Sequence, residues 1–134
     1  MTEEAAAGGH PFGQRVRELR QARKRNNPVF SLRQFALRAG ISPTFLSKIE
    51  TGDLPPPNPA TIVRIAELLE VNADELLALA KKVSPEVTEI ICERPRIHAD
   101  FLRSVRKLSN AQMEAVQQMV RVMGKQGGEG DGRG

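Results

Sequence analysis

The chain has no tryptophan, no tyrosine and only five phenylalanines among its 134 residues. Its interior must therefore be built from Leu, Ile, Val, Ala and Met. The single cysteine, Cys92, excludes an intramolecular disulfide and points to a reducing compartment, so a cytoplasmic location is expected. No apolar run approaches the roughly 20 residues that a membrane span requires. The first ten residues, MTEEAAAGGH, lack the basic region and apolar stretch of a secretory signal. Histidine is also scarce. His10 lies in a small, polar, Gly-rich stretch, and one Cys with one usable His, Cys92 and His98, cannot complete a zinc site. No Ser/His/acid grouping and no Gly-x-x-x-x-Gly-Lys phosphate loop is present. Neither an enzyme, a cofactor nor a metal is expected.

Charge, by contrast, is plentiful and unevenly placed. The net +4 arises from 20 Lys and Arg against 16 Asp and Glu. Residues 11–52 hold nine of the cations and only two acids, Glu18 and Glu50, for +7; the remaining eleven cations and fourteen acids give −3. A cationic third of a small chain has the electrostatic footprint of a nucleic-acid binder, although a solvated helix face would produce the same count.

Apolar spacing is helical almost throughout. A first helix over about 12–25 carries Phe12, Val16, Leu19 and Ala22 on one stripe and breaks at Asn26-Asn27-Pro28. Ser31 caps a second, with Leu32, Phe35, Ala36 and Ala39, which stops at Gly40. Ser42-Pro43 reads as an N-cap followed by proline in the first turn, opening a third helix that ends at Gly52. Asp53 to Asn58 form a stiff, proline-rich loop. Asn58-Pro59 then opens a fourth helix, with Ile62, Ile65, Ala66, Leu68 and Leu69 inward. A fifth spans about 73–82, with Leu76, Leu77 and Leu79. No segment shows a convincing strand alternation.

The second and third helices carry Ala36-x-x-x-Gly40-Ile41-x-x-x-x-Leu46-x-x-Ile49. Ala36 is small where two helices approach closely, and Gly40 supplies a left-handed turn residue. On a helical wheel Leu46 and Ile49 face inward, Thr44, Ser47, Lys48 and Thr51 face outward as candidate DNA contacts, and Phe45 lies on the flank. This is the spacing of a helix-turn-helix. Together with Phe12-Gly13-Gln14-Arg15-Val16-Arg17-Glu18-Leu19-Arg20, Ser31-Leu32-Arg33-Gln34-Phe35-Ala36 and Asn58-Pro59-Ala60-Thr61, the stretch Gly40 to Gly52 resembles the Cro/C1-type, lambda-repressor-like helix-turn-helix regulators of the xenobiotic-response-element family, over residues 12–80. The resemblance implies an all-α, five-helix domain at 11–82 that binds double-stranded DNA. It places Ser42, Thr44, Phe45, Ser47 and Lys48 on the base-reading and phosphate-touching face. Ser31, the Leu32 backbone and Arg33 fall where the family clamps a phosphate at a helix N-terminus. Arg20 and Glu50 match a pair that ties the first helix to the third, which makes Glu50 structural. The connection Lys24 to Phe30 is longer than the family's usual one, and Lys24 and Arg25 are expected to add phosphate contacts.

Beyond residue 82, Ser84-Pro85 opens a short helix to about Glu93, before Arg94-Pro95. Ile97, Phe101, Leu102, Val105 and Leu108 mark one face of a further helix. Ser109-Asn110-Ala111-Gln112 is a capping box for a last helix with Met113, Val116, Met119, Val120 and Met123, close to a heptad seam. Cys92, beside Ile90 and Ile91, reads as an inert core thiol. A C-terminal hairpin or three-helix element of this size buries too little to stand alone. Residues 84–123 are expected to form a homodimer through Phe101, Leu102, Val105, Met113, Val116, Met119, Val120 and Met123. The alternatives are that they fold back on 53–82 or bind a different protein, as in a DNA-binding antitoxin. Residues 1–10 and the Gly-rich 124–134 are expected to be disordered tails. The resulting expectation is a cytoplasmic, nucleoid-associated, homodimeric repressor.

Overall fold

A computed structural model describes residues 10–130, and side chains through Gln126. The described residues are helical, with no strand among them. They fall into two compact units divided between Glu89 and Ile90.

The first unit contains α1 (Pro11–Lys24), a 3-10 turn (Pro28–Phe30), α2 (Leu32–Ala39), α3 (Pro43–Thr51), α4 (Pro59–Leu69) and α5 (Ala73–Leu79). Each boundary has a local cause. The His10 ring accepts from the Phe12 amide at 3.1 Å and caps α1, so this residue of the expected N-terminal tail is structural; residues 1–9 lie outside the described range. Ser31, Ser42, Asn58 and Asn72 each accept from the backbone amide three residues on, at 2.8–3.3 Å, satisfying one orphan donor per helix. Gly40 and Gly52 close α2 and α3 at φ 81° and 89°, in the left-handed region that favours glycine.

The core draws on all five helices. Phe12 and Val16 of α1, Phe35, Ala36 and Ala39 of α2, and Leu46 and Ile49 of α3 meet Ile62, Ile65, Ala66 and Leu69 of α4 and Leu76 and Leu77 of α5. Helix α3 packs against both α1 and α2, α4 packs on α2 and α5, and α1 also meets α5. Phe30 joins the edge of this core, its ring 5.9 Å from that of Phe35 and covered by the Arg23 guanidinium at 5.5 Å.

Three expectations are corrected here. Ala22 is exposed rather than part of the buried stripe; the stripe turns through Arg20, whose charge is partnered below. Helix α5 ends at Leu79, not at 82, because Lys81 takes φ 57° and the Lys82 amide returns to the Leu77 carbonyl at 3.0 Å. Leu79 is accordingly exposed rather than inward.

The second unit continues α6 (Pro85–Glu93), which spans the division, into α7 (Pro95–Val105) and α8 (Asn110–Gly130). The capping box at the start of α8 is reciprocal. Ser109 Oγ accepts from the Gln112 amide at 3.1 Å, and Gln112 Oε1 accepts from the Ser109 amide at 2.9 Å. Residues 124–130, expected to be disordered, are helical: once capped, α8 propagates at one hydrogen bond per residue through its glycines, each costing about 1 kcal/mol relative to alanine. Residues 131–134 lie outside the described range. Cys92 is exposed rather than a core thiol, since no residue of α6 or α7 is buried within the chain.

Gly13 sits inside α1, where glycine is otherwise a liability. A Cβ built there would lie 2.1 Å from the Ile49 carbonyl oxygen and 3.2 Å from Glu50 Cα. Only glycine lets the α1 and α3 backbones approach this closely. Gly13→Ala is expected to lower the unfolding free energy by about 1–3 kcal/mol despite alanine's better helix propensity, as measured by denaturant titration of the full chain.

Candidate nucleic-acid interface

The interface is built around α3, and α3 is oriented by one buried ion pair. Arg20 Nε donates to Glu50 Oε2 at 2.8 Å and Arg20 Nη2 donates to Glu50 Oε1 at 2.9 Å. Both side chains are about 95% buried. The remaining nitrogen, Nη1, donates to the Phe30 carbonyl at 3.0 Å. One guanidinium thus ties α1 to α3 and to the 3-10 turn. The fork geometry satisfies both carboxylate oxygens, which is what makes burial of two charges tolerable.

With Glu50, Ile49 and Leu46 buried, the opposite side of α3 must face out. Thr44, Lys48 and Thr51 are exposed and Ser47 is half-buried. Lys48 makes no ion pair among the described residues. Phe45 is half-buried and packs on the core edge. Ser42 is exposed while its Oγ caps the Phe45 amide at 3.0 Å. The Thr51 hydroxyl lies 3.2 Å from the Lys48 carbonyl and 3.1 Å from Asp53 Oδ2, so its one donor is engaged within its own turn.

A second group lies at the start of α2. Ser31 Oγ accepts from the Gln34 amide at 3.3 Å, and the first helical backbone bond runs from the Phe35 amide to the Ser31 carbonyl at 2.8 Å. The amides of Leu32 and Arg33 precede that bond and belong to the positive end of the helix dipole. Arg33 is exposed, as are Lys24 at the end of α1 and Arg25 in the connection after it. The expected residues Ser31, Arg33, Ser42, Thr44, Phe45, Ser47, Lys48 and Thr51 therefore all lie in the five-helix unit, on two helix starts and one outward helix face. Asp53 was missed by sequence reasoning, and only its position two residues past Thr51 could have signalled it. Glu70, a non-glycine residue with φ 59° that pairs with Arg23 at 3.6 Å, carries no sequence signal at all.

Two helices joined by a left-handed glycine, the second presenting a polar, cationic face, define a helix-turn-helix unit. The helix-turn-helix domain family model matches residues 11–79, and the chain belongs to that family. It is 42% identical over 80 residues to an uncharacterized helix-turn-helix-type transcriptional regulator, RghRB, of Bacillus subtilis (strain 168), covering 60% of this chain and 54% of that protein. It is 36% identical over 66 residues to the helix-turn-helix-type transcriptional repressor RghR of the same organism, covering 49% of this chain and 45% of that one. The chain thus spans about half the length of these curated relatives. No solved structure matches it.

Truncating Glu50 leaves the Arg20 charge buried and unpaired. Glu50→Ala is expected to cost about 3–5 kcal/mol, while the double variant Arg20→Met/Glu50→Leu should recover most of that loss, both read from thermal and denaturant unfolding.

Proposed function

We propose that the chain is a sequence-specific DNA-binding transcriptional regulator, a homodimeric repressor of the lambda-repressor-like type that places the helix at 42–51 in the major groove. The observation that carries this reading is the outward face of α3. Thr44 and Lys48, which makes no ion pair among the described residues, stand exposed on it, and Ser47 and Phe45 are half-buried. A lysine can donate to guanine O6 and N7, short hydroxyls can accept or donate at base edges, and an aromatic edge can meet a thymine methyl. The free amides and Ser31 at the start of α2, with Arg33, Lys24 and Arg25, supply phosphate contacts that fix the register of α3 on the duplex. In this reading Thr51 serves mainly to close the helix.

The DNA-binding domain in this account is 11–82 and the dimerisation region is 84–123. Two copies place their α3 helices in successive major grooves about 34 Å apart, and repression follows from occupancy of a twofold operator. The relatives' printed names, a transcriptional regulator and a transcriptional repressor, agree with this direction. A protein of this kind works in the cytoplasm at the nucleoid. No helix among the described residues is long and apolar enough to cross a membrane.

The test uses a DNA fragment from upstream of the protein's own gene. Lys48→Ala is expected to weaken specific binding by about 1–3 kcal/mol while leaving non-specific binding nearly unchanged, and Arg33→Ala to weaken both alike and flatten the salt dependence. Wild-type binding that does not distinguish this fragment from random DNA contradicts the proposal.

A further inference from the structure

Helix α3 can read few kinds of base, and its composition says which. Residues 43–51 include no Asn, Gln, Arg or Asp, and their one acid, Glu50, is buried against Arg20. Adenine is recognised by the paired donor and acceptor of Asn or Gln, and the cytosine amino group by a carboxylate. Helix α3 offers neither on its outward face. Lys48 is its one side chain suited to guanine O6 and N7. Thr44 stands four residues before Lys48, about 40° round the helix and about 6 Å along its axis. That separation is under two base steps of about 3.4 Å.

Most of the other polar groups on this helix are committed within the chain. Ser42 Oγ accepts from the Phe45 amide at 3.0 Å, and the Ser42 carbonyl accepts from the Leu46 amide at 3.0 Å. Pro43 has no N–H to give. The Thr51 hydroxyl is held by the Lys48 carbonyl and Asp53, and Ser47 is half-buried. Thr44 differs: it is exposed, and its hydroxyl makes no hydrogen bond among the described residues. A lone hydroxyl both donates and accepts, so it suits any base edge and discriminates little. The group on Thr44 that can discriminate is its methyl. Threonine methyl, alanine and phenylalanine are the side chains that meet the thymine C5-methyl in the major groove. Phe45 is packed on the core edge, and α3 has no alanine.

Resting on the DNA-binding reading above, we infer that Thr44 is a specificity-determining residue that reads a thymine through its C5-methyl, one or two base steps from the guanine taken by Lys48. The contact sets methyl on methyl. It removes apolar surface from water on both partners and asks for no donor or acceptor from a helix that has few to spare. Thymine alone of the four bases carries that methyl, so the contact excludes the other three. In a twofold operator it occurs once in each half-site, and its effect on affinity counts twice.

The experiment compares binding of the full chain to the duplex it selects from a random pool and to the same duplex with every thymine replaced by uracil. That replacement removes the C5-methyl and keeps the base pairing. The chains are wild type and Thr44→Ser, which keeps the hydroxyl and loses the methyl; binding to random DNA shows that the variant is folded. Uracil is expected to weaken the wild type at least about 10-fold, the loss of one buried methyl contact per half-site. Thr44→Ser is expected to be weakened about as much on the thymine duplex and hardly further on the uracil one, because both changes remove the same contact. A wild type that binds the two duplexes alike overturns the inference and leaves the DNA-binding reading standing. Equal uracil losses in wild type and Thr44→Ser also overturn it, since the methyl is then read elsewhere or through the shape of the duplex. A wild type that selects no sequence overturns both readings.

Discussion

The interface depends on the rotation of α3 about its own axis, and the Arg20–Glu50 pair sets that rotation. A carboxylate buried at position 50 must find a fixed donor fork, and Arg20 offers one from α1 at 2.8 and 2.9 Å. Lys48 lies about 160° round the helix from Glu50, so anchoring one fixes the other outward. Gly13 completes the constraint by admitting the α3 backbone against α1. The third Arg20 contact, to the Phe30 carbonyl, extends the same anchor to the connection that precedes α2. A buried ion pair adds little net stability compared with a well-packed apolar substitute. Its three hydrogen bonds tie α1, α3 and the 3-10 turn at one point.

Much of the five-helix unit is legible in the sequence because its signals are local and redundant. Ser42-Pro43 and Asn58-Pro59 state both where a helix starts and why, and Gly40 and Gly52 mark where the chain must turn left-handed. The outward residues of α3 follow from the buried ones by periodicity alone. Features set by tertiary contact are less visible. Gly13 reads as a flaw in a helix until the Ile49 carbonyl is seen against it. Glu70 and Lys81 hold left-handed conformations that ordinary residues rarely adopt, so the end of α5 could not be placed from composition. Ala22 fits the apolar stripe by spacing, yet the buried face of α1 is centred toward Gly13 and Arg20, which leaves Ala22 on the far side.

The C-terminal helices present the opposite case. Their amphipathic pattern is plain, and their capping box forms as its residue types require. The glycines between 124 and 130 suggest disorder by composition, yet a helix already capped at Ser109 runs through them. Cys92 misled for a related reason: its apolar neighbours Ile90 and Ile91 have no chain-internal core to enter. A segment whose apolar residues remain exposed carries information about an assembly rather than about a fold.

The central claim is that the outward face of α3 and the start of α2 together form the DNA-binding surface. Amide chemical-shift mapping of the full chain, titrated with a DNA fragment from upstream of its own gene, tests it most directly. The account predicts the largest changes at Leu32 to Gln34 and at Thr44 to Lys48, with the core amides of α4 little affected. Changes concentrated elsewhere, with Thr44 to Lys48 silent while the DNA is bound, would contradict it.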